Sequence, residues 1–120
     1  MSIKSTLDLS YLETMSGNDR NTQKLLLEAL LKEVKTAGKT ARLYCEREEW
    51  MPLARFCHHY KSTLSFSGDP RLIDANAALL RIAEADGVAA PGAVERNLVV
   101  LERNGQAVIR EVQRLLKEYK

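Results

Sequence analysis

One short stretch near the middle of the chain holds most of the residues that could do chemistry. Residues 57–68, CHHYKSTLSFSG, contain both histidines, one of the two cysteines and a lysine three positions after the first histidine. A neutral imidazole is nucleophilic near pH 7, and imidazole and thiolate are also common metal ligands. These residue types therefore suit either phosphoryl-accepting or metal-binding chemistry, and their spacing has to decide between the two.

The pattern around this stretch predicts a helix, which divides its residues between two faces. Apolar side chains recur at the spacing of a buried stripe, at Leu53, Phe56, Cys57, Tyr60 and Leu64. We therefore expect Cys57 and Tyr60 to belong to the core. His58 follows Cys57 by one position, which is about 100° around a helix, so it should lie at or outside the edge of the buried face.

The surroundings predicted for His58 are open, because its neighbours along the helix are small. Lys61 lies at i+3 and could place its ammonium beside an oxyanion held on the imidazole ring. A large partner could approach such a face without meeting a bulky side chain. The docking surface that we predict around His58 comprises Ala54, Arg55, Ser62, Ser65 and Gly68. For Arg55, an ordinary solvated charge is an equally good interpretation.

His59 and the cysteine allow other interpretations, which the helical spacing disfavours. The helical neighbours of His59 include Phe56 and Phe66, so we expect it to be crowded and structural or incidental. A cysteine beside two histidines could suggest a metal site. Adjacent helical positions diverge by about 100°, however, and neither histidine has a ligand at i±4. We therefore predict no metal here.

The composition indicates an ordinary globular chain. The 120 residues fit one domain, residues 1–120, with 45% hydrophobic and 28% charged residues. A net charge of +2 is too balanced to predict nucleic-acid binding. Two cysteines make no disulfide framework, and we find neither a signal peptide nor an apolar run of the ~20 residues that cross a bilayer. The expected location is the cytoplasm, without membrane insertion.

The first half of the chain predicts a short helix followed by a long one. Residues 7–15 form the short helix, which Ser5 or Thr6 could cap, and a glycine and Asn18 or Asp19 then separate it from the next. The second helix should run from about residue 21 into the forties. Gly38 interrupts its apolar stripe, but no proline, asparagine or aspartate accompanies the break, so one continuous helix is predicted.

The second half predicts three more helices. Pro52 fits the first turn of the third, and Asp69 and Pro70 fit the N-cap and first position of the fourth. The fifth should span about residues 92–118, with Gly105 on its inner face. No segment shows the alternation of a strand. The fold class predicted is all-α, an antiparallel up-down-up-down four-helix bundle with a short extra N-terminal helix.

The stretch that follows His58 resembles a known signature. His58-x-Tyr60-Lys61-Ser62 is similar to the His-x-Leu-Lys-Gly/Ser motif of histidine-containing phosphotransfer (HPt) domains, and Gly68 stands where that family commonly has a glycine. The departures are a tyrosine for the usual leucine and Ser-Thr for Gly-Ser. Both are mild, because Tyr60 can still bury its ring and Ser62 is still small.

The resemblance to HPt domains extends over nearly the whole chain. Residues 9–18 are similar to the family's N-terminal segment, and Trp50 falls where a tryptophan is common before the active helix. The family pattern continues with a leucine and a small or polar inward residue, which here would be Leu72 and Asn76. Motif, glycine spacing and bundle length together make the resemblance fairly specific.

The resemblance implies a phosphorelay intermediate of a two-component system. His58 would accept a phosphoryl group from the aspartate of a response-regulator receiver domain and pass it to another receiver. Lys61 would act as the charge partner of the phosphate, Mg²⁺ would sit on the receiver, and this chain would need no cofactor. The expected partners are receiver domains and a hybrid sensor histidine kinase, and the chain would be a monomer. It has no phosphate-binding GxxxxGK[ST] or GxGxxG motif, so we predict a phosphoryl carrier rather than a kinase.

An alternative interpretation keeps the fold without the chemistry. The chain could be a non-phosphorylated helical-bundle adaptor that binds a receiver or another signalling partner. A weaker possibility is a bundle that dimerises through one helix face. The sequence does not distinguish a protein that works alone from a domain of a hybrid kinase.

Overall fold

Helices account for all of the regular structure in residues 7–119, the part of the chain that the computed structural model describes. The elements are α1 (Ser10–Ser16), α2 (Arg20–Glu46), α3 (Trp50–Leu64), α4 (Pro70–Glu84), α5 (Ala93–Leu116) and a final 3-10 turn, Lys117–Tyr119. No strand occurs among these residues, which confirms the all-helical prediction.

Two aspartates begin helices as the sequence predicts. Asp19 accepts a hydrogen bond from the Thr22 N–H at 2.9 Å at the start of α2. Asp69 accepts the N–H groups of the first turn of α4, and Pro70 is the first residue of that helix. Each carboxylate satisfies backbone donors that have no partner inside their own helix.

The first helix starts later than predicted. α1 begins at Ser10, not at Leu7. The Asp8 carboxylate just before it accepts a hydrogen bond from the Ser10 N–H at 3.0 Å, which gives a partner to a donor that has none inside the helix. The suggested caps Ser5 and Thr6 lie outside the described residues.

The long second helix is continuous through Gly38, as predicted, and tertiary packing explains the glycine. A Cβ placed on Gly38 would lie only 3.0 Å from Cγ of Glu102 on α5. Gly105 is buried on the inner face of α5, where a Cβ would meet Cγ1 of Val34 at 3.4 Å. Gly38 therefore lets α2 and α5 approach closely, whereas the separation at Gly105 is an ordinary van der Waals distance.

Each of the four long helices packs against two others around a single hydrophobic core. α2 packs against α3 and α5, α4 packs against the same two helices, and α1 lies against α2. The described residues form a compact body with extents of 46 × 22 × 19 Å. Fully or nearly fully buried side chains from α2 to α5 include Leu27, Leu30, Leu53, Tyr60, Leu64, Leu72, Leu79, Leu98, Val112 and Leu115.

Contacts at the ends of the helices show which termini meet. Trp50, the first residue of α3, packs against Gly87, just beyond the end of α4. Near the start of α2, the Gln23 side chain accepts a hydrogen bond from the Tyr119 hydroxyl at 2.8 Å. Near its end, Arg42 pairs with Glu95 in the first turn of α5 at 2.9 Å.

Within residues 7–119, no helix combines the length and the apolar composition that a membrane span requires.

Candidate functional site

His58 lies on the outer side of α3 with 64% of its side chain exposed. Cys57 and Tyr60, on either side of it in the apolar stripe, are 0% and 2% exposed. The helical period therefore divides consecutive residues as predicted, with the imidazole at the surface and its neighbours in the core. Nε2 of His58 makes no hydrogen bond within residues 7–119.

Lys61 is exposed one turn after His58 on the same face of α3. Its ammonium has no hydrogen-bond or ion-pair partner in the described part of the chain. An unpaired ammonium can turn toward an anion without first leaving a carboxylate. The roles of His58 as acceptor and Lys61 as charge partner are still predictions, and both side chains are exposed as those roles require.

Ala54 and Ser62, one turn before and after His58, present little bulk beside the imidazole. Ala54 is half-buried and Ser62 is exposed. Arg55 is exposed as well, and its guanidinium contacts the Met51 sulfur at 3.5 Å. This end of the predicted docking surface is accessible in the folded chain.

The other end of that surface is more enclosed. Ser65 is half-buried just after α3, and its hydroxyl donates to the Lys61 carbonyl at 3.1 Å. Gly68 has a φ of +59°, and a Cβ at this position would lie 2.0 Å from the Asp8 carbonyl oxygen. The close approach of the N-terminal segment therefore explains why residue 68 is a glycine. A contact between Gly68 and a partner is still a prediction.

His59 occupies a different environment from the one predicted. The expectation of a crowded side chain is wrong, because 73% of the His59 side chain is exposed. The aromatic neighbours turn away from it: Phe56 stacks on Tyr60 at 5.4 Å, and Phe66 packs on Tyr11 at 5.2 Å between ring centroids. Nε2 of His59 instead lies 2.6 Å from Oε1 of Glu33 on α2.

A second carboxylate stands near His58, but at a longer distance. Oε2 of Glu84, at the end of α4, lies 3.9 Å from Nε2 of His58. That separation is within ion-pairing range and beyond hydrogen-bond length. Glu84 is 57% exposed, so solvent screens the pair strongly.

The buried Cys57 thiol beside the histidines is expected to be unreactive. Cys57 is fully buried, and burial raises the pKa of its thiol to about 12, with a smaller contribution from Cys45. Burial also raises the pKa of Tyr60, helped by the nearby charge of Glu33. The Cys57 thiol therefore stays protonated near neutral pH, and a protonated thiol is a poor nucleophile and metal ligand. No group of three or more metal-ligating side chains occurs in residues 7–119.

Asn76 joins α4 to α3 directly behind the exposed histidine. It is 2% exposed, as the inward position predicted for it requires, and its Nδ2 donates to the Cys57 carbonyl at 2.9 Å. Its Oδ1 is buried and has no hydrogen-bond partner among the described residues. This bond holds the turn of α3 that carries His58 against the next helix.

Sequence reasoning missed both carboxylates near the histidines. Glu33 and Glu84 belong to other helices and each lies 26 positions from its histidine. No short-range pattern links residues so far apart along the chain.

Searches of protein-family models, of curated proteins and of solved structures find no match to this chain.

Proposed function

We propose that this chain is a histidine phosphotransfer protein or domain of a two-component phosphorelay, with His58 as the phosphoryl acceptor. The observation that supports the proposal most directly is the exposure of His58 and Lys61 on α3, without hydrogen-bond partners for either in the described residues. His58 is exposed on a face with small neighbours, its Nε2 is free of hydrogen bonds within the described residues, and the unpaired Lys61 ammonium lies one turn away. The motif that resembles HPt domains contains these same two residues.

The chemical step needs only a nucleophile and a neutralising charge from this chain. The Nε2 electron pair of His58 forms a bond to phosphorus while the acyl-phosphate O–P bond of the receiver aspartate breaks. The bonding electrons leave with the aspartate carboxylate, and the ring gives its Nδ1 proton to water. Lys61 would offset the negative charge of the transferred group, which is the contribution expected of a protein in phosphoryl transfer. Transfer to the next receiver reverses these bonds.

We also propose that α2 to α5 form an antiparallel four-helix bundle. The packing of each helix against two others supports this arrangement. The contact of Trp50 with Gly87 brings the start of α3 to the end of α4, and the contacts of Gln23 and Arg42 bring opposite ends of α2 and α5 together. Such a bundle gives α3 a rigid base from which to present His58.

The proposed partners are response-regulator receiver domains and a hybrid sensor histidine kinase in the cytoplasm. Mg²⁺ belongs to the receiver in this scheme, and the chain itself carries the phosphoryl group without making it. One carrier would dock with one receiver at a time through the face around His58, so a monomer is sufficient.

The test is transfer of label from a phosphorylated receiver. Purified chain is incubated with a receiver domain that carries ³²P on its aspartate, in the presence of Mg²⁺, and then with a second, unlabelled receiver. We expect label on the chain that is lost in acid and stable in base, followed by its appearance on the second receiver. Binding to the receiver without any label would instead favour the non-phosphorylated adaptor.

A further inference from the structure

His59 and Glu33 make a contact that the proposed transfer does not use. Nε2 of His59 lies 2.6 Å from Oε1 of Glu33, and Glu33 is the less exposed partner, at 30% against 73%. An ionised carboxylate can only accept hydrogen bonds, so the imidazole must donate through an N–H at Nε2. The distal nitrogen of His59 therefore carries a proton, whereas attack on phosphorus needs a free electron pair.

The carboxylate of Glu33 depends on this contact. Its second oxygen, Oε2, is buried without a hydrogen-bond partner in residues 7–119. His59 consequently supplies the one hydrogen bond that this carboxylate receives from the described residues. A phosphoryl group on Nε2 of His59 would remove that bond and place its own negative charge beside the carboxylate.

The contact with Glu33 involves Nε2 of His59, the ring nitrogen farther from the helix backbone. Nε2 of His58 is not engaged in this way, because the Glu84 carboxylate oxygen is 3.9 Å away and leaves it without a hydrogen bond.

We infer that Glu33 is a specificity-determining residue that withholds His59 from phosphorylation and so leaves His58 as the acceptor. The inference rests on the proposed function, since it concerns which of two adjacent histidines receives the phosphoryl group. Glu33 acts through His59 and does not touch the transferred group. It is a positioning residue on a neighbouring helix, and the motif around the histidines contains no sign of it.

A small phosphodonor tests the inference without any receiver. Potassium phosphoramidate transfers its phosphoryl group to imidazole: the donor N–P bond breaks, a ring N–P bond forms, and the ring proton leaves with ammonia as ammonium. Mass spectrometry of peptides then locates the label at each histidine over time. In the wild-type chain we expect His58 to react about tenfold faster than His59, the factor corresponding to a hydrogen bond to a charged group.

The matched variants are Glu33→Ala and Glu28→Ala. Both remove one carboxylate from α2 and leave a strong helix former, but Glu28 is exposed and makes no hydrogen bond or ion pair with either histidine in the described structure. We expect labelling of His59 to rise about tenfold in Glu33→Ala alone, with that of His58 unchanged. Equal labelling of the two histidines in wild type, or an unchanged His59 rate in Glu33→Ala, would overturn the inference.

A spectroscopic measurement on the wild-type chain does not depend on a variant that folds. The ¹⁵N chemical shifts of the two imidazole rings report which nitrogen of each neutral ring carries the proton. We expect a protonated Nε2 in His59 and a different proportion of the two tautomers in His58. An unprotonated Nε2 in neutral His59 would contradict the inference.

The two proposals fail in different ways. If phosphoramidate labels His58 selectively and phosphorylated receivers label nothing, the phosphorelay proposal is wrong and the selectivity imposed by Glu33 is still supported. If receivers label His58 while phosphoramidate labels both histidines alike, the phosphorelay proposal holds and the role of Glu33 is wrong.

Discussion

The two adjacent histidines lie on different sides of α3, and only one of them is hydrogen-bonded to a neighbouring helix. On the side toward α4, His58 has an unbonded Nε2 with a carboxylate at 3.9 Å, and on the side toward α2, His59 is hydrogen-bonded to Glu33 at 2.6 Å. The more exposed of the two rings is His59, which is also the ring that is bonded. Exposure alone therefore does not separate the two histidines, whereas the hydrogen bond at Nε2 does.

The comparison also shows how one helix can give two adjacent imidazoles different neighbours. Successive positions differ by about 100°, so neighbours in the sequence face different helices of the fold. Each histidine then lies near a carboxylate from a different helix, Glu84 on α4 for His58 and Glu33 on α2 for His59. Cys57, one position earlier, faces the core and is buried. Cys57, His58 and His59 thus have three different environments, although they are consecutive in the sequence.

The largest effect expected is from exchanging the histidines themselves for glutamine. His58→Gln should abolish the acid-labile label from a phosphorylated receiver, because it removes the nucleophile. His59→Gln should keep most of it, since that ring is engaged with Glu33. Label that survives His58→Gln and disappears in His59→Gln would reverse the assignment of the two sides. Thermal unfolding of both variants checks that each is folded.

Removing the charge on the open side should have the next largest effect. Lys61→Ala should slow transfer from a receiver about tenfold, because one charge-assisted contact to the phosphoryl group is lost. Lys39→Ala is the matched control: Lys39 is exposed on α2, in the groove between α2 and α5. Stopped-flow or quenched-flow measurement of label gives both rates. Equal rates in the two variants would show that Lys61 is only a solvated side chain.

Removing the Glu84 carboxylate near His58 should have a smaller effect, and it should stabilise the phosphohistidine. Two exposed charges about 4 Å apart interact weakly in water, and salt screens them further, so we expect a change of about twofold to fivefold. Glu84→Gln removes a negative charge beside Nε2 and should prolong the life of the phosphohistidine by that factor. The half-life of the label at constant pH measures it, with Glu46→Gln on α2 as the control. A shorter half-life in Glu84→Gln would show that the carboxylate protects the phosphoryl group.

The smallest effect on transfer is expected behind the site, at Asn76. Asn76→Ala removes the hydrogen bond to the Cys57 carbonyl and should lower the free energy of unfolding by about 1 kcal/mol, the usual value for one such bond. Transfer should slow by less than about twofold, because α3 keeps its own helical bonds. Urea unfolding gives the first quantity and the labelling assay the second. Asn97→Ala, which loses only a bond to Ala93 in its own helix, is the comparison. A tenfold loss of transfer would give Asn76 a larger part in holding His58.

Local pattern was sufficient to predict most of the fold and one side of the site. The continuous α2, the aspartate at the start of α4, and the burial of Cys57 and Tyr60 beside an exposed His58 all follow from spacing over a few residues. Side chains three or four positions apart share a helix face in any packing arrangement. The position of His58 at the surface was therefore determined by the sequence alone, before any contact between helices is considered.

Only the tertiary structure decided what stands beside each histidine. The side chains of Phe56 and Phe66 were expected to crowd His59, but Phe56 stacks on Tyr60, Phe66 packs at a tilt on Tyr11, and 73% of the His59 side chain is exposed. Glu33 and Glu84 reach the histidines from other helices, across 26 positions of sequence. The reason is geometric: helical periodicity determines which way a side chain points along its own helix, whereas the packing of the helices determines which groups it meets there.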